Sequence, residues 1–546
     1  MTAQQWEKPR KAAQLMERGL DNMFGTQLQG DNNQTKLERK TSANLGFEEK
    51  LWQAADKLRG HMDPAGYKHV LLGLIFLKHI SDDFFETYRR LRSKRSDKEE
   101  DQKEYQEKGV FWVPAKARWP HIQSQVHKPD IGKIVDEAMQ AIEDGNAKLK
   151  DALPKEYGKL FRDRRRLGEL IELVTTIGVG GAENRSKDTL GRVYEYLLGK
   201  FASAEGNRGG EFYTPPSVVK LLVQMVEPYT GRVYDPCCGS GGMFVQSEKF
   251  VLSHGGRKED ILIFGQESNP TTWRLCKMNL AIRAMEGDIG RQNADTFHAD
   301  LHLSLEADYV IANPPFNMKD WGAESLQRDN RWRYGRPPNG NANFAWLQHM
   351  IHHLSPNGIA GVVLSNGSLS ANQTREEGEI RNALIEADLV DCIVALPSQL
   401  FYNTQIAACL WLIARNKRDS RFRCRVGQTL FIYAASFGRM VDRIHRELTD
   451  QEINQISAAY ESWRSRKPDT PYRDIPGFCR SASVDEVRSH RLALVPGRYV
   501  GFDRDLLAEK ADQSFVGELA CAEERLKKVV KTSESVLKIL RNLPDG

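Results

Sequence analysis

From position 47 to about 88, apolar residues recur at helical spacing: Leu51, Ala54, Ala55 and Leu58, then Leu71, Leu72, Ile75, Phe76, Ile80, Phe84 and Phe85. Residues three and four apart share one face of a helix, so this stretch predicts a helical bundle. A mixed charge run over 89–108 interrupts it and reads as a solvated helix or loop. Periodicity resumes at Ile131, Ile134, Ala138 and Ile142 and continues to Leu173. From Val193 the pattern changes to short apolar runs separated by helical stretches. Candidate strands lie at 232–234, 261–265, 309–312, 359–364, 392–396 and 408–413, with 430–433 as a later addition. Apolar strands alternating with helices predict a parallel sheet covered on both faces. After about 436 helices return, and Leu519, Leu526, Val529, Val530, Val536, Leu537 and Leu540 fit a helical hairpin, a coiled-coil arm or a helix packed on its own body. The expected division is a polar arm at 1–43 that orders late or on a partner, a helical domain at 44–190, an α/β domain at 191–435 and a helical region for partner contact at 436–546.

Composition narrows the class. The 546 residues, 40% of them hydrophobic and 28% charged, supply three or four domains' worth of core, which excludes a disordered or fibrous chain. A net charge of +5 permits a nucleic-acid partner without demanding one. Eight cysteines show no C-x-x-C and no Cys/His ladder, so neither a disulfide framework nor a zinc site is expected. The longest apolar runs, 70–77 and 406–414, fall short of the roughly 18 residues that a membrane helix needs. The start MTAQQWEKPRK has charge without an apolar stretch behind it, so a cytoplasmic protein without a secretory signal is expected.

Two segments carry chemistry. In Val233-Tyr-Asp-Pro-Cys-Cys-Gly-Ser-Gly-Gly242 a strand runs into a glycine-rich turn that opens a helix, so Asp235, Gly239, Ser240, Gly241 and Gly242 stand where an open α/β sheet binds a nucleotide-like ligand. The dinucleotide fingerprint is incomplete, because Phe244 occupies the place of its third glycine. Glu267 after the next strand and Asp295 at the end of a short third strand favour a cofactor containing ribose and adenine. The fourth strand ends in Asn313-Pro314-Pro315-Phe316. Two prolines remove amide donors and leave carbonyl acceptors beside the Asn313 amide, which suits a substrate NH2 group. Phe316 offers a flat face to a base turned out of a duplex.

These motifs together resemble the adenine-N6 modification subunit of type I restriction-modification systems, a γ-type amino methyltransferase. The similarity runs from about residue 47 to about 500. The family's E-F-Y-T-P element is matched by Glu211-Phe212-Tyr213-Thr214-Pro215, its D-P-x-C-G-S-G-G by Asp235 to Gly242, and its late aromatic segment by Leu400-Phe401-Tyr402-Asn403, with Cys237 where many relatives have alanine. The resemblance implies a Rossmann-like methyltransferase sheet at 191–435 using S-adenosylmethionine, with base flipping and in-line transfer assisted by Asn313 and Pro314. It further implies double-stranded DNA as substrate and two copies of this subunit with one specificity subunit that chooses the sequence. A separate motor-nuclease subunit would restrict DNA, and this chain has no G-x-x-x-x-G-K-[ST] and no nuclease-like acid-x-Lys pair. Thr214 is expected to cap the helix after it, whose first amides could receive the methionine carboxylate.

Other readings stay open at this point. Glutamine and some RNA methyltransferases share an N-P-P-aromatic turn, though they usually lack the long helical region, and a degenerate scaffold would bind without chemistry. Pro236-Cys237 sits in the cofactor loop and is not expected to act as a nucleophile. His349, His352 and His353 have spacing that metals favour, but Phe344, Leu347, Ile351 and Leu354 define a buried face that leaves them solvated or capping. The cluster Arg162-Asp-Arg-Arg-Arg166 reads as a solvated face or a phosphate contact.

Overall fold

The computed structural model describes residues 48–49, 51–59, 64–93, 98–161, 163–176, 187–205, 213–370, 375–402 and 404–501. The polar arm, Arg162, Glu211, Phe212, Asn403 and the apolar positions 519–540 lie outside the described residues. The longer helices are α1 (Pro64–Ser93), α2 (Ile131–Gly145), α3 (Arg164–Thr175), α4 (Lys187–Glu205), α5 (Pro216–Val226), α6 (Gly242–Ser253), α7 (Pro270–Ile282), α8 (Asn343–His353), α9 (Arg375–Glu386) and α10 (Asp450–Arg464). No described helix is long and apolar enough to cross a membrane.

The N-terminal helices bury the stripes that their spacing predicts. Leu71, Leu72, Ile75, Phe76, Ile80 and Phe84 of α1 and Val135, Ala138, Met139 and Ile142 of α2 share one core. That core also takes in Leu275, Met278 and Ile282 of α7, so the helical region packs on the α/β body through this helix. His79 of α1 reaches the Ile282 carbonyl at 3.2 Å, and the Tyr194 hydroxyl of α4 donates to the Leu275 carbonyl. At the start of α3, Arg164 and Arg165 point outward beside the N-cap Asp163, which accepts from the Arg165 N–H.

Among the described residues the body is a sheet of nine strands: β1 (Gly231–Asp235), β2 (Ile261–Gly265), β3 (Gly287–Asp288), β4 (Ala307–Ala312), β5 (Leu354–Ser365), β6 (Val390–Ala395), β7 (Ala408–Ala414) and β8 (Gln428–Tyr433), then Cys479–Ser483 after a small hairpin, β9 (Arg439–Met440) with β10 (Arg446–Glu447). Numbering Cys479–Ser483 as β11, the order is β11-β8-β6-β7-β5-β4-β1-β2-β3. Helices α5, α6 and α10 pack on one face, and α8 and α9 on the other. Where α5 crosses β5, a side chain on Gly361 would stand 2.6 Å from Val226, so glycine there sets how close α5 can lie.

Two expectations fail here. The sheet is not wholly parallel: β7 runs antiparallel to both β5 and β6, and β11 antiparallel to β8. A strand buried on both faces is continuously apolar in either direction, so composition could not orient β7. The usable signal was the connection 396–407, which contains no crossover helix. The segment after 436 also contributes an edge strand, and its Cys-Arg-Ser-Ala-Ser alternation offers only two buried positions, Cys479 and Ala482.

The strand order reverses between β1 and β4, which are hydrogen-bonded neighbours although the chain visits β2 and β3 between them. A crevice opens outside the carboxyl ends of strands at such a switch point. The register aligns Asp235 with Gly265, and Tyr234 with Val310, so the loops that follow β1, β2 and β4 emerge side by side.

Candidate active site

The loop after β1 folds on itself. Buried Asp235 accepts from the Cys237 N–H at 3.0 Å, and burial raises its carboxyl to about 7. Gly239 and Gly241 have φ of +54° and +82°, and a Cβ on Gly241 would stand 3.0 Å from the Cys276 sulfur. Gly241 is the N-cap of α6, so the loop ends at a helix N-terminus with Gly242 open to solvent. The Ser240 carbonyl accepts from Asn279 at 2.7 Å. Glu267 crosses from the end of β2: Oε2 accepts from the Gly239 N–H at 3.0 Å and Oε1 from the Asn269 N–H at 2.7 Å. Burial, with Asp235 and Glu267 nearby, holds the Cys237 thiol well above its usual range, which disfavours the thiolate that a nucleophile needs.

Asp295 does not end the third strand, because β3 stops at Asp288. It stands in the following loop, where its oxygens accept from the Phe297 N–H at 2.9 Å and pair with His298 at 2.8 Å. That loop nevertheless lies against the glycine turn, since Thr296 donates to the Pro236 carbonyl and the Ala294 N–H to the Glu267 carbonyl.

The loop after β4 differs. Asn313 is buried, and its Nδ2 donates to the Thr214 hydroxyl at 2.9 Å. Its Oδ1 finds no donor among the described residues. An orphaned buried acceptor costs about 1–3 kcal/mol. The backbone N–H of Asn313 reaches Cys237, tying the two loops together. Phe316 packs at 72° to Phe401 with centroids 5.3 Å apart, which fixes the plane of its ring. Tyr402 faces Tyr213 at 6.3 Å, so the late aromatic segment and the 213–215 segment meet over this corner.

Thr214 is not a helix cap. The N-cap of α5 is Pro215, without a side-chain cap, and Thr214 spends its hydroxyl on Asn313. The amides of α5 are also poorly suited to a carboxylate, because Pro215 and Pro216 have none and Val218 and Val219 donate theirs to the Pro215 carbonyl.

Sequence reasoning missed the residues that hold these loops. Asn317, with φ of +52°, accepts from Asn343 at 2.9 Å and Ser365 at 3.1 Å, pinning the turn after Phe316 to α8 and β5. Arg331 chelates Asp329 and donates to the Thr296 and Phe297 carbonyls, which steadies the loop of Asp295.

The histidines of α8 are also a correction, because His349 and His353 are buried, not solvated. Arg331 can only donate, so His349 Nδ1 accepts from it and Nε2 donates to the Tyr234 hydroxyl at 3.1 Å. His353 faces the Asp300 carboxylate at 2.8 Å and the Leu305 carbonyl at 3.1 Å. Burial pushes the Asp300 carboxyl up, but the bonds from His353 and the His302 N–H hold it below its usual range. Asp300, His349 and His353 lie within ligand distance of one another, yet both nitrogens of each ring are engaged and a guanidinium adjoins them, which reads as a hydrogen-bond network and not a metal centre.

Comparison with known proteins bears on this geometry. The family described as N-6 DNA Methylase matches residues 185–505, and that described as HsdM N-terminal domain matches residues 47–174. The HindI type I restriction enzyme methylase subunit of Haemophilus influenzae is 46% identical over 407 residues, spanning 71% of this chain and 90% of the relative. The MjaIX methylase subunit of Methanocaldococcus jannaschii is 38% identical over 522 residues, spanning 92% and 91%. Among solved structures, the type I restriction-modification methyltransferase subunit of Streptococcus thermophilus aligns with a TM-score of 0.70 at 25% identity, over 84% of this chain and 99% of that one.

Proposed function

Because the chain belongs to the N-6 DNA methylases as a type I restriction-modification methylase subunit, we propose that Asn313 and Pro314 hold the amino group of a flipped adenine while the glycine loop and Glu267 hold S-adenosylmethionine. The match to the helical N-terminal domain favours DNA over a glutamine or RNA substrate.

One observation carries the reading: Asn313 has a bonded Nδ2 and an orphaned Oδ1. The Nδ2 end of the amide is turned to Thr214, and the Oδ1 end remains as an acceptor held away from water. An adenine amino group donating to Asn313 Oδ1 and to the Pro314 carbonyl satisfies both and turns the nitrogen lone pair toward an electrophile. No base is needed to ionise the amine, and none of the acidic groups around the loop is required to do so. Phe316 provides the stacking face, with Pro315 stiffening the turn between.

The fit to the cofactor rests on the glycine turn. Nothing lies within 4 Å of where a Cβ would stand on Gly239 or Gly242, so a ligand can approach the backbone there. Glu267 is placed to accept ribose hydroxyls, the Asp295 loop borders the adenine side, and Asp235 shapes the turn from within. Ser240 and Gly241 lead into the N-terminus of α6, whose dipole favours the methionine carboxylate. Of the E-F-Y-T-P element, Tyr213 and Thr214 border the site through Tyr402 and Asn313. We extend the assignment of Glu211, Phe212 and Pro215 to the same cofactor side. When bound, S-adenosylmethionine supplies an electrophilic methyl group.

In the assembly we propose, two copies of this subunit join one specificity subunit that selects the sequence, and a motor-nuclease subunit completes restriction, in the cytoplasm. The methyltransferase body is 191–435 with α10 and β11 added, 44–190 is the helical domain, 1–43 is a polar arm, and the chain after 501 serves partner contact. Labelled S-adenosylmethionine given to the coexpressed complex with DNA tests this: the label is expected in N6-methyladenine, and label in RNA, protein or cytosine would overturn it.

A further inference from the structure

A short hairpin beside the base corner has no role in the scheme so far. β9 and β10 pair antiparallel, and Asp442 turns the tip by accepting from the Ile444 and His445 N–H groups at 2.8 and 2.7 Å and from the His445 ring at 2.6 Å. The base is anchored as firmly. The Arg446 N–H donates to the Gln399 carbonyl at 2.8 Å, its guanidinium to the Phe437 and Gly438 carbonyls, and the Gly438 N–H to Glu452.

Met440, Val441 and Ile444 are 44, 52 and 54% exposed on this rigid turn. Three adjacent apolar side chains held toward water are an unfavourable surface unless something covers them. Arg439 precedes Met440 and Arg443 lies between Val441 and Ile444, both exposed, with the exposed acids Asp442 and Glu447 on the same hairpin. Its place is defined by a chain of contacts: His445 lies edge-on to Tyr402 at 4.9 Å, Tyr402 adjoins Tyr213, and the next residue, Thr214, holds Asn313.

We propose that this hairpin inserts into DNA at the flipped adenine, with Met440, Val441 and Ile444 occupying the stack that the base leaves and Arg439 and Arg443 holding flanking phosphates. The occupant is duplex DNA because the apolar tip stands, through Tyr402, Tyr213 and Thr214, beside the corner where Asn313 would take the extruded base, with Arg439 and Arg443 exposed on the same turn. Apolar wedges between cations are how proteins unstack a base step. The inference rests on the base-flipping reading above.

The test uses the complex coexpressed with its specificity subunit and DNA carrying 2-aminopurine at the target position. The wild type brightens the probe on flipping. Val441→Ser with Ile444→Ser is expected to remove most of that rise and to lift the KM for DNA about tenfold, with cofactor affinity unchanged. Arg439→Gln with Arg443→Gln is expected to reduce the salt slope of DNA binding by about 2. No rise with the wild type overturns the base-flipping reading and this inference with it. A rise that survives in the Ser variant, with an unchanged KM, overturns the hairpin alone. Failure of that variant to join the specificity subunit, cofactor binding being intact, makes the hairpin a protein-docking surface and also overturns it.

Discussion

The loops after β1 and β4 lie side by side at the switch point, yet they treat their polar groups in opposite ways. In the first, Asp235 bonds Cys237 and Glu267 bonds Gly239 and Asn269, so the turn is held by its own side chains before any ligand arrives. In the second, Thr214 takes the donor end of Asn313 and the acceptor end is left with no partner among the described residues. On the proposed function, the contrast separates two tasks. A cofactor cradle must keep its shape, whereas the substrate corner must present an acceptor whose bond is completed only by the substrate. On the proposed function, the desolvation cost of that acceptor is carried by the fold and would be offset when adenine arrives.

Breaking the open corner has the largest expected effect. Asn313→Ala should lower methyl transfer by about 10²–10³-fold, measured as label incorporated into DNA, while calorimetry finds cofactor affinity nearly unchanged. Gly241→Ala attacks the closed loop instead. A left-handed alanine costs about 1–2 kcal/mol, and the clash with Cys276 adds to it, so cofactor affinity should fall about tenfold with the transfer rate at saturating cofactor largely kept. Thr214→Val leaves Asn313 in place but frees its amide to flip. One hydrogen bond at about 1 kcal/mol predicts a loss of roughly five- to tenfold in kcat, with cofactor affinity unchanged. Rescue by Thr214→Ser would show that the hydroxyl, and not packing, sets the orientation.

The smallest effect on activity concerns Asp235, and it appears in stability. Its buried carboxyl titrates at about 7, above an unfolded value near 4, so the folded chain holds a proton that the unfolded chain has lost. The stabilisation from that proton is complete below about pH 4, declines as the pH climbs and is gone above about 7. Melting temperature should therefore fall more for the wild type than for Asp235→Asn between pH 5 and 7.5.

Much of this architecture was legible because the chemistry sits at strand ends. Asp235, Glu267 and Asn313 each follow an apolar run, and alignment of those runs in a sheet brings the three loops together without further information. Thr214 was misread because its partner is 99 residues away; from local sequence a threonine before two prolines looks like a cap. His349 and His353 were misread for another reason. Periodicity finds one buried face, but α8 is covered by β5 on one side and by the loops of Asp300 and Arg331 on the other. A helix buried nearly all round hides its polar residues from a pattern argument. The orientation of β7 and the polar edge strand β11 escaped because neither leaves a distinctive trace in hydrophobicity.

The most direct test of the open acceptor is a cycle between enzyme and substrate. Wild type and Asn313→Ala, each coexpressed with the specificity subunit, are titrated with two DNAs, one with adenine at the target and one with purine, which lacks the amino group. Loss of the amino group also eases flipping, but equally for both proteins, so the cycle cancels that effect. The expected result is that purine weakens wild-type binding, relative to the variant, by roughly five- to tenfold, the worth of one hydrogen bond of about 1 kcal/mol. An identical response of the two proteins to the missing amino group would contradict the assignment of Asn313 Oδ1 as its acceptor.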